Sequence, residues 1–218
     1  MSEPTMSEPT VTELGNPAKP TGEAGAQMLA RMNESHAAVT AWGLTFLDLQ
    51  AHSRVLDIGC GGGACLARMA QTVTAGHLTG VDYSPVSVAQ SQAMNADLIA
   101  AGRMEIVSGS VAALPFADAA FDRIVTVESF YFWPQPQENL REVRRVLAPG
   151  GVFVLIADIY DGDLLTDRER ENIAKYNLYN PTPEKFRALL EDAGFSPVSI
   201  HLRTDGKSWI AAEGRAEG

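Results

Sequence analysis

The chain has 218 residues, 45% of them hydrophobic, enough for one α/β domain with a sizeable core. Its 27 acidic and 17 basic side chains give a net charge of −10, which argues against a nucleic-acid partner; short basic groups such as Arg144-Arg145 do not form a stripe that would reverse this. No apolar run reaches the roughly 18 residues of a membrane span, no signal-peptide pattern opens the chain, and Cys60 and Cys65 have no metal-ligand spacing, so a metal-free protein of the reducing cytoplasm is expected.

Residues 1–25 begin with MSEPT written twice and are rich in Pro, Glu, Thr and Gly. They hold too little apolar surface to offset ordering entropy, so a disordered tail is predicted, with a single domain over residues 26–218. Residues 27–49 carry Met28, Leu29, Met32, Val39, Trp42 and Leu47 at helical spacing, interrupted at residues 33–36, which predicts two short helices. Residues 54–58 read as a buried strand, 59–63 as a glycine-rich turn and 64–71 as a helix. A second strand covers 78–82. Ser84 and Pro85 then cap and begin a helix that runs to about residue 101, where Gly102 ends it. Residues 104–108 and 121–127 are the third and fourth strands, and Asp122 reads as a structural residue at a strand start. A helix over 138–147 and the Pro149-Gly150-Gly151 turn lead to a fifth strand, 152–157. Asp158, Asp161 and Asp163 after it read as a solvated loop. A charged insertion over 161–182 is a candidate lid. Thr182 caps a further helix, and residues 196–202 and 207–212 form two strands around Asp205-Gly206.

The most informative stretch is VLDIGCGGG, residues 55–63. Glycine allows positive φ and close backbone approach to a ligand. Gly59-x-Gly61-x-x-Ala64 fits the loose dinucleotide fingerprint, a weak signal by itself. Two acids strengthen it. Asp57 ends the first strand, and Asp82 ends the second about 20 residues on, the spacing of a carboxylate that takes both ribose hydroxyls.

D-I-G-C-G-G-G followed by G-V-D-Y-S resembles the class I S-adenosylmethionine (SAM)-dependent methyltransferases. The resemblance extends through LPFADAAFDRIV, EVRRVLAPGGVFVL and LLEDAGFSPVSI, and is nearest to the ubiquinone/menaquinone-biosynthesis group of small-molecule methyltransferases. It implies a Rossmann-like α/β fold: a seven-stranded, mostly parallel sheet with helices on both faces and an antiparallel hairpin strand near the C-terminal end. It also implies SAM as cofactor, with Asp57 at the amino group, Gly59, Cys60 and Gly61 at the methionine portion, Asp82 on the ribose and Tyr83 against adenine. Ser110 stands where the family commonly has an acid bonding the adenine amino group. Val111 would flank the ring, and Glu128 and Ser129 would lie near the methionine end. The N-terminal helices close over the pocket in the family, so His36 and Trp42 are candidates for the acceptor side. The run Phe130-Tyr131-Phe132-Trp133-Pro134, at the carboxyl edge of the sheet, is the other acceptor candidate, through Phe130, Tyr131 and Trp133, joined by Tyr176 from the insertion. His36 and Tyr131 are the candidate bases.

No Asn/Asp-Pro-Pro-Tyr run, double-glutamate loop or cysteine set marks a nucleic-acid, protein or arsenite methylator, which leaves a small, largely apolar acceptor and a monomer or homodimer. Two other readings remain open: a non-catalytic SAM-binding protein, and a nicotinamide-dependent oxidoreductase, against which Asp57 and the terminal hairpin speak.

Overall fold

The computed structural model describes residues 15–203 and 205–217. Seven strands form one sheet: β1 (Arg54–Ile58), β2 (His77–Asp82), β3 (Met104–Ser108), β4 (Phe121–Val127), β5 (Leu147–Ala157), β6 (Val198–Leu202) and β7 (Ile210–Arg215). Their order is β3-β2-β1-β4-β5-β7-β6. The first five pair in parallel, and β7 runs antiparallel between β5 and β6. This is the expected doubly wound sheet with its reversed end. Eight helices accompany it among the described residues: α1 (Gly22–Ser35), α2 (Ala37–Gly43), α3 (Ala64–Met69), α4 (Pro85–Met94), α5 (Ala96–Ala100), α6 (Pro136–Val146), α7 (Asp167–Tyr176) and α8 (Pro183–Asp192).

Parallel strands covered on both faces are apolar throughout rather than alternating. β5 shows why. Phe153 and Leu155 enter one core cluster with Leu140 and Phe186, while Val152, Val154 and Ile156 enter the other with Leu47, Leu66 and Met69. At the opposite, amino end of the sheet Asp122 accepts the Arg54 backbone N–H at 3.1 Å, the structural role read from the sequence.

Three expected boundaries shift. The long helix after Ser84 breaks at Asn95, whose side-chain amide donates to the carbonyls of Ser91 (3.0 Å) and Gly63 (3.2 Å). The break thus ties the helix to the glycine turn. β5 begins at Leu147, which pairs with Phe121. β7 lies later than expected, at Ile210–Arg215, in register with Val152 to Ala157 of β5.

Residues 1–14 of the expected tail lie outside the described residues. Residues 15–25 depart from the expectation of disorder. Pro20 is buried, its carbonyl accepts the Ser84 hydroxyl at 2.6 Å, and α1 begins at Gly22. Composition misled here because these residues use the core of the domain, not one of their own.

Candidate active site

The carboxyl ends of β1, β2 and β4 open on a cavity of about 360 Å³. Its floor is the glycine turn. The N–H groups of Gly59 and Cys60 both donate to the Val81 carbonyl, at 2.8 and 3.2 Å, which binds the turn to β2. Gly59 and Gly61 have φ of +74° and +51°, where a side chain is strained. Gly59 also needs the space: a Cβ there would lie 2.7 Å from the Cβ and Oγ of Ser129. Asp82 stands beside this turn, its Oδ2 accepting the Gly61 N–H at 3.0 Å and its Oδ1 the Ser84 N–H at 2.8 Å. Burial raises its pKa, and these N–H donors oppose the rise.

Asp57 is 1% exposed, and its Oδ2 has no hydrogen-bond partner among the described residues. Burial lifts its pKa from 3.8 to about 7; a hydrogen bond with the Cys65 thiol acts against this, and the Asp82 charge adds to it. Burial likewise pushes the Cys60 and Cys65 thiols well up, so neither is a ready nucleophile. A buried carboxylate oxygen without a partner is an invitation to a donor.

The other end of the cavity is built after β4 and β5. Glu128 has φ of +54°, rare for a residue with a side chain, and its N–H donates to the Ile156 carbonyl at 3.0 Å. Its Oε1 accepts the Asp158 N–H at 2.5 Å. The Tyr131 hydroxyl lies 3.4 Å from Glu128 Oε2 and 3.3 Å from Asp158 Oδ1. Burial first, and then the Asp158 charge, push the Glu128 pKa well up. His36, the hinge residue between α1 and α2, brings its ring to this end. One donor atom each of His36, Glu128 and Asp158 lies within 4.8 Å of the others. Burial lowers the His36 pKa, opposed by Asp158.

The ten residues expected at the cofactor all line this cavity: Asp57, Gly59, Cys60, Gly61, Asp82, Tyr83, Ser110, Val111, Glu128 and Ser129. His36 and Trp133 line it too. The remaining acceptor candidates do not. Trp42 packs edge-on against Phe46 at 5.3 Å and beside Trp209 at 6.0 Å, because α2 turns Val39, Thr40 and Gly43 inward instead. Phe130 is 2% exposed in the core against Trp133, Tyr179 and Phe186. Tyr131 is directed at Glu128 and Asp158 and forms part of a separate groove with Tyr179 and Lys185; its phenol pKa is pushed well up by burial. Tyr176 lines neither concavity among the described residues and sits at the end of α7 under Lys175.

Sequence reasoning missed five contributors. Phe132 lines the cavity where Phe130 was expected. Asp158, read with Asp161 and Asp163 as a solvated loop, is instead half-buried at the acid end. Pro17, Ala18 and Pro20 form a roof, fastened where the Tyr83 hydroxyl donates to the Ala18 carbonyl and Ser84 to Pro20. The insertion is fastened elsewhere, with the Tyr179 N–H on the Tyr131 carbonyl at 3.1 Å, beside the second groove.

Among the described residues, the cavity wall holds Asp57, Asp82 and Glu128 but no Lys or Arg. It therefore suits a ligand carrying positive charge, as the ammonium and sulfonium of SAM do. With a glycine floor for close approach and an orphaned carboxylate oxygen, the residues present fit that cofactor.

Comparison with known proteins agrees with this geometry. The family described as "Methyltransferase domain" matches residues 56–155. The 27-O-demethylrifamycin SV methyltransferase of Amycolatopsis mediterranei (strain S699) is 31% identical over 198 residues, covering 87% of this chain and 71% of that protein. The 2-methyl-6-phytyl-1,4-hydroquinone methyltransferase of Arabidopsis thaliana, a chloroplastic protein, is 31% identical over 156 residues, covering 72% of this chain but 43% of that longer one. In fold, a SAM-dependent methyltransferase from Aquifex aeolicus superimposes with a TM-score of 0.70 at 17% identity, over 87% of this chain and 97% of that one. From the two acids flanking a glycine bend, the sheet order and these relatives together, the chain belongs to the class I SAM-dependent methyltransferases.

Proposed function

We propose that this chain holds SAM along the glycine turn and transfers its methyl group to a small, largely apolar acceptor lodged against Phe132, Trp133 and Pro134. Asp82 takes the ribose hydroxyls, Tyr83 and Val111 border the adenine, and Ser110 bonds its amino group. Gly59, Cys60 and Gly61 admit the methionine portion, Asp57 receives its ammonium, and Glu128 and Ser129 close that end. The observation that carries this reading is the buried Asp57 carboxyl, with one unpartnered oxygen, on the wall of the cavity over the glycine turn, together with Asp82 fixed by two backbone N–H groups.

The cofactor, when bound, supplies a methyl group already activated as a sulfonium. The chain's own residues have three tasks. They hold the acceptor in line, worth roughly 7–11 kcal/mol of the barrier. They exclude water, through the roof over residues 17–20 and the apolar wall. They accommodate positive charge beside Asp57, Asp82 and Glu128. A non-catalytic SAM-binding protein would need the first two features less, since an acceptor wall serves no purpose without an acceptor.

No described helix is long and apolar enough to cross a membrane. With two free cysteines, a cytoplasmic enzyme acting as a monomer or homodimer is the consistent reading. Titration calorimetry tests the cofactor assignment. Heat with S-adenosylhomocysteine and none with NADH is expected, and the reverse would restore the oxidoreductase reading. A methyl-transfer screen against small hydroxylated and aromatic compounds tests the catalytic half.

A further inference from the structure

We infer that His36, Glu128 and Asp158 form a hydroxyl-binding subsite in which His36 removes the proton of an alcoholic or phenolic acceptor and Asp158 supports the imidazolium that results. This rests on the methyltransferase reading above and specifies the reacting group.

Three observations lead to it. The first is distance. Three polar atoms within 4.8 Å of one another leave a point within about 2.8 Å of them all, a hydrogen-bond length from each corner. A hydroxyl in the cavity reaches His36 and Glu128, which line it, with Asp158 close to both. The second is placement. The three residues come from separate parts of the fold: the junction of α1 and α2, the end of β4 and the end of β5. His36 and Glu128 line the cavity beside the methionine end, next to Ser129, which stands over Gly59. The apolar wall of Phe132, Trp133 and Pro134 completes the pocket, so a hydroxyl on an apolar or aromatic body is the matching shape. The third is the local backbone. Glu128 holds φ of +54° to present its carboxyl to Asp158, and strain kept at such a position is a mark of a functional site.

The charges favour the assignment. His36 is pushed towards its neutral form by burial, as a base must be. Glu128 is pushed towards its protonated form, by burial first and then by its acidic neighbour. Both carboxyls lie near the imidazole, and the Tyr131 hydroxyl donates towards both. The other titratable groups on the cavity wall are Asp57, Asp82, Tyr83, Cys60 and Cys65, toward the cofactor end; no Lys or Arg is among the described lining residues to compete. In the reaction the O–H bond breaks and its proton passes to His36 and then to solvent. Its electron pair stays on oxygen, which bonds the methyl carbon as that carbon's bond to sulfur breaks and leaves its electrons on sulfur. Asp158 does not line the cavity and acts on the proton only through His36, so it is a positioning residue.

The test uses the whole chain saturated with S-adenosylhomocysteine and reads His36 by NMR of histidine-labelled protein, which has four histidines to assign. Calorimetry first establishes that the wild type and Asp158→Asn bind S-adenosylhomocysteine equally. Loss of binding in the wild type would overturn the cofactor reading, a separate failure. Asp158→Asn is expected to lower the His36 pKa by about one unit, because the charge opposing its burial is gone. An unchanged pKa would overturn the dyad. Phenol, added at millimolar concentration to unmodified protein, is expected to shift the His36 ring resonances while toluene leaves them in place. Equal shifts from both, or none from either, would overturn the hydroxyl subsite even if the variant failed to fold. Once a turnover assay exists, the acid limb of the kcat/KM profile should follow the His36 pKa and move with it in Asp158→Asn.

Discussion

At the scale of single residues, the two acids of the cofactor end have opposite environments. Asp82 accepts the N–H groups of Gly61 and Ser84, which oppose the rise that burial imposes on its pKa. Asp57 is buried with one oxygen unpaired and a pKa of about 7. Replacing Asp82 with Ala removes charge-assisted bonds worth roughly 1.5–3 kcal/mol each. S-adenosylhomocysteine affinity should therefore fall at least tenfold by calorimetry. Asp57 gives a pH prediction. Its folded pKa lies above its ordinary 3.8, so the ligand-free fold retains a proton that the unfolded chain releases. The contribution of Asp57 to stability thus declines as pH rises from about 4 to about 7, and Asp57→Asn should flatten that part of a denaturation-versus-pH curve. The same ionisation favours an ammonium ligand, so cofactor affinity should rise through pH 7 in the wild type and not in Asp57→Asn. Gly59→Ala should cost about 1–2 kcal/mol from its positive φ alone, before the contact with Ser129 is counted. Removing that contact with Ser129→Gly should recover part of the loss in melting temperature but not all of it.

These residues were legible because their chemistry is local: a strand end, a bend and an acid one strand later are set by neighbours in sequence. Elements were harder. Phe130 and Phe132 look alike in the sequence, yet the 3-10 turn Phe130–Phe132 decides between them. Such a turn brings residues three apart onto one side, so Phe130 packs at a tilt against Trp133, ring centres 5.1 Å apart, and Phe132 lines the cavity. The pairing of His36 with Asp158 depends on how the junction of α1 and α2 crosses the sheet, which no local pattern encodes. Residues 15–25 show the same limit. Their composition is that of a linker, but the Ser84 and Tyr83 hydroxyls, on the far side of the cavity, supply their anchors. If this segment roofs the cofactor, S-adenosylhomocysteine should slow hydrogen exchange across residues 15–35. Equal exchange with and without ligand would mean that the roof stands open in solution. For a check on local stability, Thr182→Ala removes the acceptor of the Lys185 N–H and should cost about 1 kcal/mol in urea denaturation.

At the scale of the molecule, apolar runs alternating with helices up to β5 point to an α/β sheet, while the seven-strand order with its reversed end is what the family resemblance implies. What pattern alone does not give is the side of the hairpin that joins the sheet. The register settles it: β7 pairs with β5 over Val152 to Ala157 and with β6 on its other edge. The fold and its ligand should behave as one cooperative unit. S-adenosylhomocysteine at 100 times its Kd should add about 2.7 kcal/mol to stability, or roughly 5–10 °C in Tm, with no shift from NADH. The wedged strand also sets a timetable. β5 is central and wholly apolar, yet one of its edges stays unsatisfied until residue 215 has been made, long after the glycine bend and both acids have left the ribosome. A nascent chain can thus assemble its nucleotide cradle while still exposing a sticky seam, so interrupted synthesis should yield aggregates rather than partial enzymes.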